Sequence, residues 1–145
     1  MVSFAPIAKP DLPSLALLYG ELLEVNSNLA SMERQLAQIN ERSDYLWLGG
    51  KMETGELIAS LLAIRCLDTT GECRNFMVLE NVIVKSTCRK QGVGRQMMAY
   101  IEAQAKIWQC DYIILVSSGF RHDAHRFYEA VGYTEDVRGF RKCLL

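Results

Sequence analysis

The hydrophobic period changes twice between Asn75 and Ser118, and this constrains the fold more than any other feature of the chain. The stretch "NFMVLENVIVK" reads as a strand. After the glycines of "RKQGVGRQ", Val93, Met97, Ile101, Ala105 and Trp108 recur at helical spacing, so that helix lays one face on a sheet. The stretch "DYIILVSS" then reads as a second strand, so nearly all apolar that burial on both faces is expected. Strand, glycine loop, helix, strand is a crossover unit, and it requires a sheet with a helix on at least one face.

The rest of the chain supplies elements to complete that sheet. Residues 2–8 alternate weakly, as a short first strand does. Asp11 and Pro13 suit the start of a helix through "SLALLYGELLE", where Leu15, Leu18, Leu22 and Val25 share a face. After "NSN", Ser31 is placed to cap a more polar helix, "MERQLAQINER". "YLWLGG" and "ELIASLLAIRCL" read as strands joined by the turn "ETGE", and "DTTGECR" is a hairpin loop into "NFMVLENVIVK". "DAHRFYEAV" is a helix ended by Gly132, and "GFRKCLL" is read as a last strand. The order β-α-α-β-β-β-α-β-α-β is mixed α/β, and 145 residues without repeats or linkers make one domain, 1–145. Trp47, Trp108, Met97 and Met98 are assigned to the core.

A net charge of −1 lacks the basic excess of a nucleic-acid-binding domain. Five cysteines, an odd number with no C-x-x-C pair, fit free thiols in a reducing cytoplasm. There is no signal-peptide pattern and no apolar run of membrane-spanning length, so a soluble cytoplasmic protein without a membrane partner is expected.

Arg89, Lys90 and Arg95 flank two glycines at a strand-to-helix seam, where an ordinary turn with solvated basic residues is one reading. A P-loop needs G-x-x-x-x-G-K-[ST], which is absent. A dinucleotide fingerprint needs a third glycine where Met97 stands, and the acidic Asp111, 19 positions after Gly92, precedes its strand instead of ending it. The remaining pattern, R-x-x-G-x-G, makes an anion cradle. Glycines let amide N–H groups converge, the helix start adds partial positive charge, and a pyrophosphate fits both.

Strand, R-x-x-G-x-G, helix, apolar strand and then "A-x-x-F-Y-x-x-x-G-Y" together resemble the GCN5-related N-acetyltransferase (GNAT) superfamily, from about Glu56 to Tyr133. The resemblance implies a splayed mixed β-sheet flanked by helices, with acetyl-CoA as cosubstrate between "ENVIV" and "YIILV". Its pyrophosphate would meet the amides of Gln91, Gly92, Val93, Gly94 and Arg95, with Arg89 and Lys90 beside them and Val82, Val84 and Tyr128 along the rest. The implied reaction is direct attack of a small molecule's primary amine on the acetyl group; a protein N-acetyltransferase and a non-catalytic acyl-CoA-binding module are the alternatives. A homodimer is implied only by analogy with the family.

Such a transfer needs a base, an oxyanion donor and an acid for the departing thiolate. Tyr128 matches the family's acid; the alternative is a tyrosine packed on the core. Glu80 falls on the face of Val78 and Val82 within an apolar strand, where it is a base acting through water, or a buried carboxylate paired with an arginine. The resemblance puts the oxyanion donor on the backbone of Val82. His122 and His125 share a helical face, but two ligands make no metal site, so no metal is expected. "RHDAHRFYEAVGY" is similar to aminoalkylphosphonate N-acetyltransferases, which implies Arg121 and Arg138 as anion-binding residues. The family's asparagine that seats the pantetheine arm is replaced here by Arg121.

Overall fold

A computed structural model describes residues 1–145. The elements are β1 (Val2–Pro6), α1 (Leu12–Leu23), α2 (Leu29–Asn40), β2 (Tyr45–Met52), β3 (Leu57–Cys66), β4 (Asn75–Val84), α3 (Val93–Ile107), β5 (Cys110–Leu115) and α4 (His122–Ala130). Short 3-10 turns occupy Lys9–Asp11 and Ser86–Cys88. The chain divides into two compact units, Met1–Ile114 and Leu115–Leu145.

The first unit carries the sheet, in the order β1-β2-β3-β4-β5. Successive strands from β1 to β4 pair antiparallel, as hairpin connections require. β5 is reached through α3, a crossover connection, and the sheet is mixed.

Pairing register sorts the sheet's residues between two faces. Trp47 lies opposite Leu62, and Ser60 opposite Ile83. Trp47 and Ile83 cluster with Leu12, Leu15 and Leu18 of α1 and Met32 and Leu36 of α2. The alternate residues include the pairs Leu48–Leu61 and Ala63–Leu79. All four are buried, and α3, which packs on β3 and β4, buries Val93, Met97, Met98, Ile101 and Ala105. Tyr19 anchors α1 within the first cluster: its buried hydroxyl accepts a 2.8 Å hydrogen bond from Trp47 Nε1, so no polar atom is stranded there.

Several sequence expectations are corrected. α2 begins at Leu29 instead of Met32, because the cap is Asn28, whose Oδ1 accepts from the Ser31 N–H at 2.9 Å. Asp11 stands at the start of α1 as expected, yet its carboxylate accepts from the Ala8 N–H at 2.9 Å and pairs with Lys51 at 2.6 Å. α1 ends at Leu23, which leaves Val25 outside it and exposed. Trp108 is the half-buried cap of α3, unlike Trp47, Met97 and Met98, which are core.

β5 is half-buried to exposed, not enclosed on both faces. It closes the sheet's order with no strand beyond it. The expected last strand, "GFRKCLL", does not form, and Phe140 and Leu144 within it are exposed. A strand needs a partner for its backbone groups, and no strand of the sheet pairs with this segment. In the second unit, α4 is followed by a left-handed Gly132 (φ 101°), a conformation glycine adopts without steric cost.

Candidate active site

The glycine loop lies wholly in the first unit. β4 ends at Val84, the Ser86–Cys88 turn follows, and Arg89 is extended. Lys90 (φ 61°) and Gly92 (φ 83°) then take left-handed conformations, and α3 starts at Val93. This reversal needs Gly92: a Cβ there would meet nothing nearer than Gln96 Nε2 at 3.8 Å, so the demand is conformational and not spatial. The Gln96 N–H donates to Gly92 O at 3.0 Å and closes the helix's first turn.

The amides of Val93, Gly94 and Arg95 precede that bond and have no acceptor in the protein. Three unpaired N–H groups at a helix start favour an anion. Lys90 and Arg95 are exposed and belong to no ion pair, so their charges add to the same field. The loop therefore has donors and charge that fit a pyrophosphate.

Arg89 is held differently from its neighbours. Its Nε donates to Val84 O at 2.9 Å, and its Nη2 lies 3.7 Å from Glu21 Oε2 of α1. The same Glu21 oxygen accepts from the Ser86 N–H at 2.8 Å. Nothing in the sequence pointed to Glu21, because it meets the loop 65 residues further along the chain.

Within β4 a bulge breaks the expected alternation. Glu80 opposes Leu62 and Ile83 opposes Ser60, so Asn81 and Val82 together face the single residue Leu61. Asn81 takes a left-handed φ of 53°, which asparagine tolerates better than most residues. The bulge carries Val82 off the face that Glu80 shares with Val78. Glu80 is exposed and its side chain forms no hydrogen bond or ion pair, which removes the buried Glu–Arg alternative. Val82 and Val84 are half-buried.

Tyr128, Arg121, Arg138 and both histidines belong to the second unit. Tyr128 is half-buried, with its ring 5.4 Å from that of Phe127 and 6.1 Å from that of Tyr133. Burial pushes its phenol pKa up from the usual 10.0, and the positive charge of Arg121 opposes that shift. The hydroxyl thus stays protonated through neutral pH, as a proton donor must. Arg138 is exposed and Arg121 half-buried. His125 Nε2 lies 3.0 Å from Ser118 O, and no three metal-ligating side chains gather anywhere in the chain.

The sequence matches the Acetyltransferase (GNAT) family over residues 12–133. It is 28% identical over 88 residues to a tRNA(Met) cytidine acetyltransferase, TmcA, from Yersinia pestis; the match takes in 61% of this chain and 12% of that protein's length. Among solved structures, a transcriptional regulator from Bacillus halodurans C-125 superposes with a TM-score of 0.92 at 21% identity, covering 99% of this chain and all of that one. The glucosamine-6-phosphate N-acetyltransferase of Arabidopsis thaliana gives 0.88 at 20% identity over 99% of each chain. No helix is long and apolar enough to cross a membrane. The chain belongs to the Acetyltransferase (GNAT) family.

Proposed function

We propose that this enzyme acetylates the primary amine of a small molecule, with the acetyl-CoA pyrophosphate held by the loop from Arg89 to Arg95. The three unpaired amides of Val93, Gly94 and Arg95, beside the free charges of Lys90 and Arg95, carry this reading. Residues 1–145 are read as one acetyltransferase domain, because the family match runs across the boundary at Ile114. The odd count of unpaired cysteines supports a cytoplasmic setting.

Acetyl-CoA supplies a thioester, whose acyl carbon accepts the amine directly. Glu80, exposed and unpaired, takes the amine's proton through water. The Val82 N–H, in a bulge that disrupts strand pairing, donates to the developing oxyanion. Tyr128, kept protonated by its burial, gives its proton to the departing thiolate.

The substrate reading extends to an amine that also bears an anion, such as an aminoalkylphosphonate. Its support is a pair of arginines in the second unit, the half-buried Arg121 and the exposed Arg138. The relative that acts on tRNA(Met) raises nucleic acid as the other class of substrate. A net charge of −1 over this chain favours the small molecule.

The test is coenzyme A release with aminomethylphosphonate, spermidine and a simple alkylamine measured side by side. The phosphonate is expected to lead in kcat/KM. Arg121→Ala and Arg138→Ala should each lower that value about ten- to a hundredfold, the effect of one charge-assisted hydrogen bond, and leave the alkylamine little changed. A preference for spermidine discards the anionic substrate. Failure of all three amines discards the small-amine reading.

A further inference from the structure

One carboxylate of α1, that of Glu21, reaches the start of the glycine loop. It sits in the last turn of α1, two residues beyond Tyr19, whose ring is buried and whose hydroxyl is bonded to Trp47. That anchor fixes the helix, and the helix delivers Glu21 to the start of the glycine loop. One oxygen, Oε2, accepts from the Ser86 N–H at 2.8 Å and faces Arg89 Nη2 at 3.7 Å. Arg89 is tied in turn to Val84 O at 2.9 Å. The 3-10 turn and the first basic residue of the loop thus meet on one carboxylate, and that basic residue ties in the end of β4. Gln91 adds a further constraint, since its Nε2 donates to Thr87 O at 3.0 Å.

A carboxylate beside a site for a polyanion is paradoxical on charge alone. It repels phosphate and draws off the guanidinium that would otherwise attract it. Its geometry supplies the compensation. The Ser86 N–H precedes the reversal at Lys90 and Gly92, and a turn held at Ser86 holds the orientation of the amides that follow. Lys90 adopts its left-handed φ without being glycine, a conformation that persists only where surrounding contacts enforce it. We propose that Glu21 is a positioning residue for acetyl-CoA: it clamps the Ser86–Arg89 segment so that the free amides at the start of α3 are set before the phosphates arrive.

This inference rests on the loop being the pyrophosphate site, and the two can fail separately. Glu21→Ala removes both the acceptor for Ser86 and a negative charge. Electrostatics alone predicts that KM for acetyl-CoA falls, because repulsion is relieved and Arg89 is released. Positioning predicts the opposite, a rise of about tenfold with kcat changed less than about twofold. Glu21→Gln keeps an oxygen acceptor of the same reach without the charge, so it should restore most of the lost KM; a KM as high as that of Glu21→Ala would contradict a clamp made through Ser86. Glu33→Ala, which removes a carboxylate paired with Lys9 on α2, serves as the charge control and should leave KM unmoved. Melting temperatures without ligand identify any variant that is merely unfolded, in which case Glu21→Asp decides, because it keeps the charge and shortens the reach to Ser86: a raised KM upholds the clamp, and an unchanged one overturns it. If Gly94→Val raises KM while Glu21→Ala leaves it unchanged or lowers it, the positioning role is lost and the phosphate site stands. If Gly94→Val leaves KM unchanged, the phosphate site itself is wrong.

Discussion

Helices α3 and α4 each follow a strand and each carry residues the proposed reaction uses, yet they are built on opposite terms. α3 buries five side chains against the sheet, with Met97 and Ile101 fully enclosed. α4 has no buried residue at all. The difference separates binding from chemistry. Under the proposed reading the amides of Val93, Gly94 and Arg95 meet a phosphate, and donors at the start of a helix locked by its core are held in place for it. As the proposed acid, Tyr128 must respond to the group it protonates, and its half-buried setting holds its proton without enclosing it.

The comparison breaks most visibly through stability. Ile101→Ala should cost about 2–5 kcal/mol, seen as a lowered denaturant midpoint, because the site is fully enclosed. Phe127→Ala, in half-buried surroundings on α4, should cost clearly less. Equal losses would mean that α4 is anchored as firmly as α3.

Kinetics should show the reverse order. Tyr128→Phe is expected to lower kcat by on the order of 10²-fold with KM for acetyl-CoA nearly unchanged. A fully active variant, under conditions where chemistry limits turnover, would make Tyr128 a packing residue.

The bulge gives a smaller effect of definite sign. Asn81→Gly should leave stability and rate close to wild type, since glycine takes a φ of 53° freely. Asn81→Val should cost about 1–2 kcal/mol and slow the reaction, because a branched residue resists that conformation and the Val82 amide moves with it.

The smallest effect is at high pH. Burial raises the pKa of Tyr19 above its usual 10.0, with Trp47 opposing the shift. The folded state then binds more protons than the unfolded one above that value, so stability is fully present below pH 10 and falls as pH rises through the folded-state pKa. Tyr19→Phe should flatten that fall in a pH series of melting temperatures, and an equally steep fall would assign it elsewhere.

The β4–α3–β5 unit was legible because its period changes sharply and Gly92 marks the seam. The hairpins were legible from their turn residues. What escaped depends on contacts that no local pattern encodes. Strand alternation put Glu80 on the face of Val82, and only the two-for-one pairing opposite Leu61 separates them. Ser31 and Asn28 are both good caps, and which one serves is decided by where the chain leaves α1. The segment "GFRKCLL" has the composition of a strand without a strand to pair with. Glu21 had no sequence signal, since an acidic residue in an amphipathic helix reads as a solvated face.

The most direct test of the account is acetyl-CoA binding to wild type and to Gly94→Val, followed by calorimetry and by melting temperature. At about 100 times its dissociation constant, acetyl-CoA should stabilise the wild type by about 2.7 kcal/mol. Gly94→Val, whose branched side chain stands among the free amides, should lose most of that gain while keeping its fold without ligand. Equal binding by the two proteins, or no binding by the wild type, would contradict a pyrophosphate held at this loop.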